Sequence, residues 1–287
     1  MNIKDLINMR KFYYLGLLFL TFASCKQTNQ SDFNEEAKAK FIALNIQYAK
    51  TYEYEYRFGE VDTVSKFLVK LVEFNKVGVP IRKEEYHRSE YSKEYDKLSI
   101  YSYDLENKLI ETIIQNSNGL IKNIIREKYD NNQNTERVFY NNDGVLTDKV
   151  SYKHDKHGNC IELISYDEEG KISYKTISKY SANNKLIEQK QFDNKGKQES
   201  IFKVIENKDG RNEIHHYDQN NELKYKNIYI LGENKLIKSI EWIDVKEGSS
   251  SKDEYKYDEN NLLIENIMYE NNGEPKSIER TEYIKFQ

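Results

Sequence analysis

Residues 52–56 alternate strictly between Tyr and Glu, and a period of two residues is that of a β-strand. In segment 172–180, likewise, Tyr174 falls on one face and Lys175 falls on the other. Successive side chains of a strand point to opposite sides of the sheet, so such segments predict strands. Both faces carry a mixture of apolar and polar residues, and neither predicts the dry interior of a sandwich.

A five-residue frame recurs between these strands: an aromatic residue, Asp or Asn, two polar residues, then Gly or Asn. Clear copies are 166–170, 192–196 and 257–261, and nine of the twelve glycines occupy the last position. Gly and Asn tolerate positive φ, and Asp or Asn bonds the backbone two residues on. Each copy therefore predicts one hairpin turn. The predicted turn residues are Gly78, Asn107, Gly119, Gln133, Gly144, Gly158, Gly170, Asn184, Gly196, Gly210, Asn221, Asn234, Gly248, Asn261 and Gly273.

The spacing of the turns predicts how the strands connect. Turn starts lie 11 to 14 residues apart between Tyr103 and Tyr269, which leaves strands of about seven to nine residues. Connections this short join antiparallel neighbours. The sequence predicts an all-β fold, a long antiparallel β-meander of tandem hairpins with roughly 16–18 strands. Because both faces are mixed, we expect a twisted, largely single-layer or rolled sheet, with a closed barrel as the alternative.

The start of the chain differs from the rest. Basic residues precede an apolar run over 12–22, and two small residues and Cys25 follow it. This arrangement predicts a secretory signal helix, because an apolar core of about ten residues is half the length that spans a bilayer. The signal begins at Met1 or at Met9.

The residues Ala23-Ser24-Cys25 resemble the lipobox of bacterial lipoproteins, although Phe22 stands where that family most often has leucine. The resemblance implies that Cys25 is acylated and becomes the first mature residue; cleavage without lipid is the alternative. Acyl chains would make the membrane a partner, at about 0.8 kcal/mol per buried methylene. Lys26 is not the acidic residue typical of inner-membrane retention. We therefore expect a cell-envelope lipoprotein anchored to the outer membrane, on its periplasmic or surface side.

These features divide the chain into a signal peptide (1–24), a tether (25–33) and a β-repeat domain (34–287), with clear repeats from about 74. The first part of the domain is less regular. Residues 32–49 predict a short helix, whereas the strict alternation of Tyr and Glu over 52–56 predicts a first strand over 44–56. We expect Gly59 and Asp62 in the first turn and an irregular loop over 86–95.

Composition narrows the function. The 44 basic and 48 acidic residues are interspersed and give a net charge of −4, so nucleic acid is not an expected partner. Only Cys160 remains once Cys25 is acylated, so no internal disulfide is predicted. The 24 tyrosines and 2 prolines suit half-exposed strands.

One segment has the residue types of a metal site. His154, His157 and Cys160 lie at three-residue spacing, and His and Cys are zinc ligands. The segment is also a copy of the turn frame, with Gly158 in its last position, and no fourth ligand is evident. We favour the turn and expect no metal or cofactor. A second pair, His215-His216, lies on a strand and is expected to point to opposite faces.

The Tyr-Asp-x-x-Gly frame resembles YD/RHS-type repeats, and the whole-chain organisation is similar to tandem-repeat lipoproteins of the Bacteroidota. The resemblance covers about 74–287 and implies a β-repeat scaffold rather than an activity. No nucleophile elbow, phosphate loop or HExxH motif occurs. We therefore expect a non-enzymatic envelope lipoprotein that acts as a scaffold or recognition surface.

Two alternatives remain for the partner. An inhibitor or immunity-type protein would bind an exported protein, and a free edge strand can accept a partner's strand. The last strand, around 277–286, carries charges that would discourage such pairing. A carbohydrate-binding lipoprotein would use rows of aromatic faces. The candidate row is Tyr152, Tyr166, Tyr180 and Tyr217.

Overall fold

The computed structural model describes residues 35–88, 95–206 and 210–287, so the predicted signal peptide and tether lie outside it. One helix, α1, precedes eighteen strands. No helix in the described ranges is long and apolar enough to cross a membrane. The elements are α1 Glu35–Ala43, β1 Ile46–Arg57, β2 Glu60–Phe74, β3 Pro80–Glu85, β4 Lys97–Tyr103, β5 Leu109–Asn116, β6 Ile121–Asp130, β7 Gln133–Asn141, β8 Leu146–His154, β9 Cys160–Tyr166, β10 Ile172–Tyr180, β11 Leu186–Asp193, β12 Gln198–Glu206, β13 Arg211–Asp218, β14 Leu223–Leu231, β15 Ile237–Asp244, β16 Ser250–Tyr257, β17 Leu263–Tyr269 and β18 Pro275–Lys285.

The sheet closes on itself. Each strand pairs antiparallel with the next, and β1 pairs with both β2 and β18. At the closure Tyr54 of β1 lies opposite Ile278 of β18. The predicted all-β antiparallel meander is confirmed. The preferred expectation of an open, largely single-layer sheet is wrong, because the fold is a closed barrel of eighteen strands.

The width of the barrel explains why the residue pattern favoured an open sheet. Side chains fill a barrel of about eight strands, whereas barrels of 16–18 strands are wide enough to enclose a channel. The inner wall of such a barrel does not need the apolar residues of a dry core. Mixed faces are therefore compatible with closure, and residue pattern alone does not distinguish the two architectures.

The last strand is not a free edge. Its charged residues, which were expected to discourage pairing, instead make contacts across the closure. Glu282 of β18 pairs with Lys66 of β2 at 2.9 Å, and the Arg280 guanidinium lies 5.4 Å from the Tyr54 ring centre. Closure satisfies the edge hydrogen bonds of β1 and β18, so strand addition by a partner is not available at this seam.

The turns have the geometry that the repeat frame predicts. In the turn after β9, Gly170 has a φ of 78°, and its N–H donates to the Asp167 carbonyl at 3.0 Å. Asp167 Oδ1 accepts two further N–H groups, from Glu169 at 3.1 Å and Lys171 at 2.8 Å. This is a type I turn followed by a left-handed residue. Positive φ occurs at Gly78, Asn107, Gly119, Gly144, Gly158, Gly170, Asn184, Gly196, Gly210, Asn221, Gly248, Asn261 and Gly273.

Three turns depart from the expected frame. Asn131 and Asn132 both have positive φ, so a two-residue hairpin replaces the longer loop expected to end at Gln133. Lys235, not Asn234, is left-handed in the β14–β15 turn, one residue later than expected. In the first turn Phe58 and Gly59 have positive φ. Asp62, which was expected in that turn, lies in β2.

The irregular N-terminal part contains both the expected helix and the expected strand, one after the other. Helix α1 ends at Ala43 and strand β1 begins at Ile46. The helix packs on one end of the barrel. The Phe41 ring centre lies 4.6 Å from that of Phe74 and 5.8 Å from that of Tyr283. Helix α1 therefore contacts strands on both sides of the closure, β2 and β18.

Gly78→Ala is expected to destabilise the barrel by about 1 kcal/mol more than Gly119→Ala. Both residues have positive φ and both substitutions strain the backbone. A Cβ at Gly78 would also lie 2.8 Å from the Lys38 carbonyl and 2.9 Å from Ile42 of α1, whereas nothing lies within 4 Å at Gly119. Urea unfolding of both variants measures the difference. Equal losses would show that α1 does not dock against this turn.

Candidate functional site

Alternate residues of the strands form two walls of different character. On one face, short polar side chains are almost fully buried, including Thr51 at 3% exposure, Asn227 at 4% and Ser178 at 8%. Short side chains are covered in this way on the concave side of a curved sheet, where neighbouring side chains converge. We assign this face to the inner wall. Buried residues of the other face, the outer wall, include large apolar ones such as Ile228 and Val138.

The outer wall is crossed by ion pairs between neighbouring strands. Glu136 of β7 accepts from Lys128 of β6 and Lys149 of β8, both at 2.5 Å. Hydrogen bonds from these two lysines hold the pKa of the Glu136 carboxyl below its usual range. Glu265 of β17 makes the same arrangement with Lys256 and Arg280 at 2.7 and 2.9 Å. The outer carboxylates are thus ionised and paired.

Two carboxyl groups of the inner wall have pKa values that are raised instead of lowered. Asp253 of β16 and Glu279 of β18 face the barrel interior on either side of Asn266 of β17. Burial raises the pKa of Asp253 to about 7, and the charge of Glu279 adds to the rise. Burial also raises the pKa of Glu279; Lys70 opposes this rise and Glu53 adds to it.

The inner wall also holds ion pairs, at Glu85 of β3 with Lys83 and Lys97 and, more deeply buried, between β6 and β7. Glu127 of β6 stands directly opposite Arg137 of β7, and Arg137 Nε donates to Glu127 Oε1 at 2.6 Å. Their side chains are only 3% and 11% exposed, respectively. Asn134 Nδ2 donates to the second carboxylate oxygen. The pair therefore satisfies most of its own hydrogen-bonding needs inside the barrel.

Strands β9–β15 make an inner surface of a third kind, with aromatic rings beside amide and hydroxyl groups. Phe202, Ile214, Tyr229 and Ile240 form a buried cluster against which Trp242 packs. The inner residues of this arc, between the turn residues, are Leu163, Ser165, Tyr174, Thr176, Ser178, Gln189, Gln191, Ser200, Phe202, Val204, Ile214, His216, Tyr225, Asn227, Tyr229, Ile240 and Trp242.

The aromatic position of the frame has two roles that the sequence did not separate. In turns at the α1 end, the tyrosine points inward and its hydroxyl donates to a carbonyl at the start of the preceding strand. Tyr257 donates to the Ile237 carbonyl at 2.9 Å. The other such tyrosines are Tyr103, Tyr129, Tyr180 and Tyr283, whose acceptors are the carbonyls of Pro80, Leu109, Cys160 and Leu263. Four of the five hydrogen bonds span 20 residues, a spacing that could have been sought in the sequence.

At the opposite end of the barrel the aromatic residue of the frame points outward. Tyr166 and Tyr217 belong to this group, whereas Tyr152 and Tyr180 lie on the inner wall. The expected single row of these four tyrosines is therefore wrong. Alternate turns lie at opposite ends of the barrel, and the sequence frame is the same at both.

Tyr257→Phe is expected to cost about 1 kcal/mol of unfolding free energy, because it removes the hydroxyl that satisfies a strand carbonyl. Tyr166→Phe, in an outward-facing copy of the frame, is the matched control and is expected to cost less than half as much. Thermal unfolding monitored by circular dichroism measures both. Equal effects would mean that the inner hydrogen bond contributes nothing.

The three candidate ligands His154, His157 and Cys160 lie in different environments. His154 is half-buried, and burial lowers its pKa; His157 is exposed in the turn, and Cys160 is buried. In the part of the chain that the structure describes, no three His, Cys, Asp or Glu side chains come together as metal ligands. His215 and His216 point to opposite walls as expected: His215 bonds Glu213 at 2.7 Å outside, and His216 meets an inner ring, Phe202, at 4.5 Å.

No protein-family model and no curated protein sequence matches the chain. Among solved structures, a porin-like protein from Bacteroides uniformis is 10% identical, with a TM-score of 0.46, over 83% of this chain and 98% of that chain. A porin-like protein from Bacteroides vulgatus is 10% identical, with a TM-score of 0.34, over 66% and 95%. The Photorhabdus luminescens Tc holotoxin pore is 10% identical, with a TM-score of 0.32, over 73% and 12%.

Proposed function

We propose that this chain is a non-enzymatic cell-envelope lipoprotein that binds its ligand on the inner wall of the barrel. The observation that carries the proposal is the contrast between the walls. The outer wall is occupied by ion pairs between its own residues. The inner wall of β9–β15 offers aromatic and neutral polar groups, and Tyr174, Gln191 and Trp242 there are only half-buried.

The envelope location rests on the sequence of the N-terminus. The lipobox-like Ala23-Ser24-Cys25 supports acylation of Cys25 and an outer-membrane anchor. The charged outer wall supports a barrel that stands in water beside the membrane, because Lys and Arg are costly in a lipid-facing wall. The predicted tether over 25–33 connects Cys25 to the start of α1, so we expect the α1 end of the barrel to lie nearest the membrane.

The closed architecture weighs against recognition by strand addition. β1 and β18 pair with each other, so an inhibitor or immunity-type role would have to use the outer wall or the turns. No described cluster of side chains favours that role over an inner ligand. The scaffold role is kept in a changed form: the repeats form the barrel, and its inner wall binds the ligand.

The anchoring part of the proposal is tested by metabolic labelling with radioactive palmitate in the native host. The wild-type chain is expected to be labelled and to fractionate with the outer membrane. Cys25→Ala is expected to be unlabelled and absent from that fraction. A labelled Cys25→Ala protein, or an unlabelled wild type, would refute the lipid anchor.

The inner-wall part is tested by blocking each wall in turn. In a Cys160→Ser background, Gln191→Cys places a thiol on the inner wall and Lys190→Cys places one on the outer wall of the same strand. Each is coupled to a bulky maleimide. A panel of neutral glycans, acidic glycans and fatty acids is then screened by calorimetry. Any ligand bound by the unmodified protein is expected to be lost only in the Gln191→Cys adduct; loss only in the Lys190→Cys adduct would refute an inner site.

A further inference from the structure

We infer that the inner wall of β9–β15 binds a neutral carbohydrate. This inference rests on the proposed function, because it names the ligand class for that same inner surface. It is drawn from three properties of the wall: its lack of basic residues, its amide and hydroxyl groups, and its aromatic faces. Each property restricts the ligand in a different way.

The charge pattern is the first restriction. The described inner residues of β9–β15 include no Lys or Arg, and their acidic residues lie only at strand ends: Asp193, Asp218 and Asp244 are opposite Tyr174, Ser200 and Tyr225, and Glu206 is opposite Asn212. The one titratable ring, that of His216, is neutral at physiological pH because burial lowers its pKa to about 4. Other charged inner residues lie on other strands, such as Asp253 of β16 and Arg137 of β7. An anionic ligand would therefore find no basic counter-charge among the described inner residues of this arc.

The hydrogen-bonding groups are the second restriction. Gln189 lies at the centre of the arc and is 6% exposed. Its Nε2 donates to Ser178 Oγ at 3.1 Å, while its Oε1 is buried without a hydrogen-bond partner. Leaving a buried acceptor unpaired costs about 1–3 kcal/mol. A ligand hydroxyl that reached Gln189 would satisfy this oxygen.

The aromatic faces are the third restriction. Trp242 packs against the cluster that contains Phe202 and Tyr229, and Tyr174 and Tyr225 stand half-buried on neighbouring strands. Such rings combine a large apolar face with a polar edge. A sugar ring has the complementary surfaces, because its C–H groups form an apolar face and its hydroxyls lie around the edge.

These restrictions disfavour the other common classes of ligand. A fatty acyl chain would leave the buried Gln189 Oε1 without a hydrogen-bond partner, which is unfavourable. An acidic glycan would lack a cation on the arc. A neutral oligosaccharide satisfies the polar groups and covers the rings together.

Trp242 is the only tryptophan of the chain, so its fluorescence reports on this arc. The test is a fluorescence titration of the purified mature protein with maltohexaose, cellohexaose and chitohexaose, each up to 10 mM. Polygalacturonate and palmitate serve as the acidic and apolar probes. At least one neutral hexasaccharide is expected to change the emission saturably, and the acidic and apolar probes are expected to leave it unchanged.

Variants locate the binding. Gln189→Leu is expected to raise the Kd about five- to tenfold, the loss of roughly one neutral hydrogen bond. Lys190→Gln, on the outer wall, is expected to leave the Kd unchanged. Thermal melts confirm folding; if Gln189→Leu is unfolded, Ser178→Ala removes its hydrogen-bond partner and is expected to weaken binding as well. An unchanged Kd in the folded variant would overturn the inference.

The outcomes separate this inference from the function on which it rests. Palmitate or polygalacturonate binding that alters Trp242 emission, without any neutral glycan doing so, would overturn the carbohydrate assignment and keep the inner site. Glycan binding that survives the Gln191→Cys block would overturn the inner site. No response to any neutral hexasaccharide at 10 mM would overturn the carbohydrate assignment.

Discussion

Arg137→Met is expected to lower the free energy of unfolding by about 3–5 kcal/mol, the usual cost of breaking a buried ion pair. Its partner Glu127 is only 3% exposed and would remain charged on the inner wall with a single hydrogen bond, from Asn134. An uncompensated carboxylate cannot easily recover its hydration there. Equilibrium unfolding in urea, followed by circular dichroism, measures the loss.

Arg126→Met is the matched control for that variant. Arg126 lies on β6, and its ion pair with Glu111 is on the outer wall at 2.8 Å, with exposures of 56% and 26%. Exposed pairs contribute about 0–1 kcal/mol, so a loss below 1 kcal/mol is expected. The double variant Glu127→Leu/Arg137→Met removes both buried charges and is expected to recover most of the stability. Equal losses at Arg126 and Arg137 would refute the assignment of the two walls.

Asp253→Asn is expected to stabilise the barrel at pH 8 by about 4 kcal/mol and to have little effect at pH 4. Burial raises the pKa of Asp253 from 3.8 to about 7. The folded state therefore holds a proton that the unfolded state releases above its own, lower pKa. Wild-type stability is expected to fall as pH rises from about 4 to 7, and the loss is complete above pH 7. The amide cannot ionise, so Asp253→Asn removes this dependence.

Glu254, the residue after Asp253, provides a control in which the pH dependence of stability has the opposite sign. Glu254 lies on the outer wall, where a hydrogen bond from Lys252 lowers the pKa of its carboxyl. Glu254→Gln is expected to cost a little stability at pH 8 and nothing at low pH, where the wild-type carboxyl is protonated. Thermal melts of both variants between pH 4 and pH 8 test the pair. Parallel pH profiles for wild type and Asp253→Asn would mean that Asp253 is not buried in the folded state.

Much of the fold could be predicted because its determinants are local. In the turn after β9, the Gly170 N–H donates to the Asp167 carbonyl three residues earlier, and Asp167 Oδ1 accepts from the Glu169 N–H. The free-energy cost of a positive φ depends mainly on the residue type at that position and little on the rest of the fold. The frame therefore predicts the turn, and regular spacing of turns predicts the antiparallel meander. Errors occurred where a turn is one residue shorter, at Asn131 and Asn132.

The candidate site could not be predicted in the same way. Gln189 and Tyr229 lie on one arc, but they are separated by two intervening strands, β12 and β13. Their common environment depends on the curvature of the whole sheet. The unpaired Gln189 Oε1 and the depressed pKa of His216 are consequences of burial, and burial on a half-polar face has no clear signature in residue order.

The sequence by itself determined the strands, their order and most of their turns, because each turn is specified within about five neighbouring residues. Tertiary structure alone decided closure and the direction of each face. Glu127 and Glu136 are both glutamates on neighbouring strands with basic partners. One became a buried carboxylate of the inner wall and the other a half-buried one of the outer wall. Only the joining of β1 to β18, residues far apart in the chain, makes one side of the sheet concave.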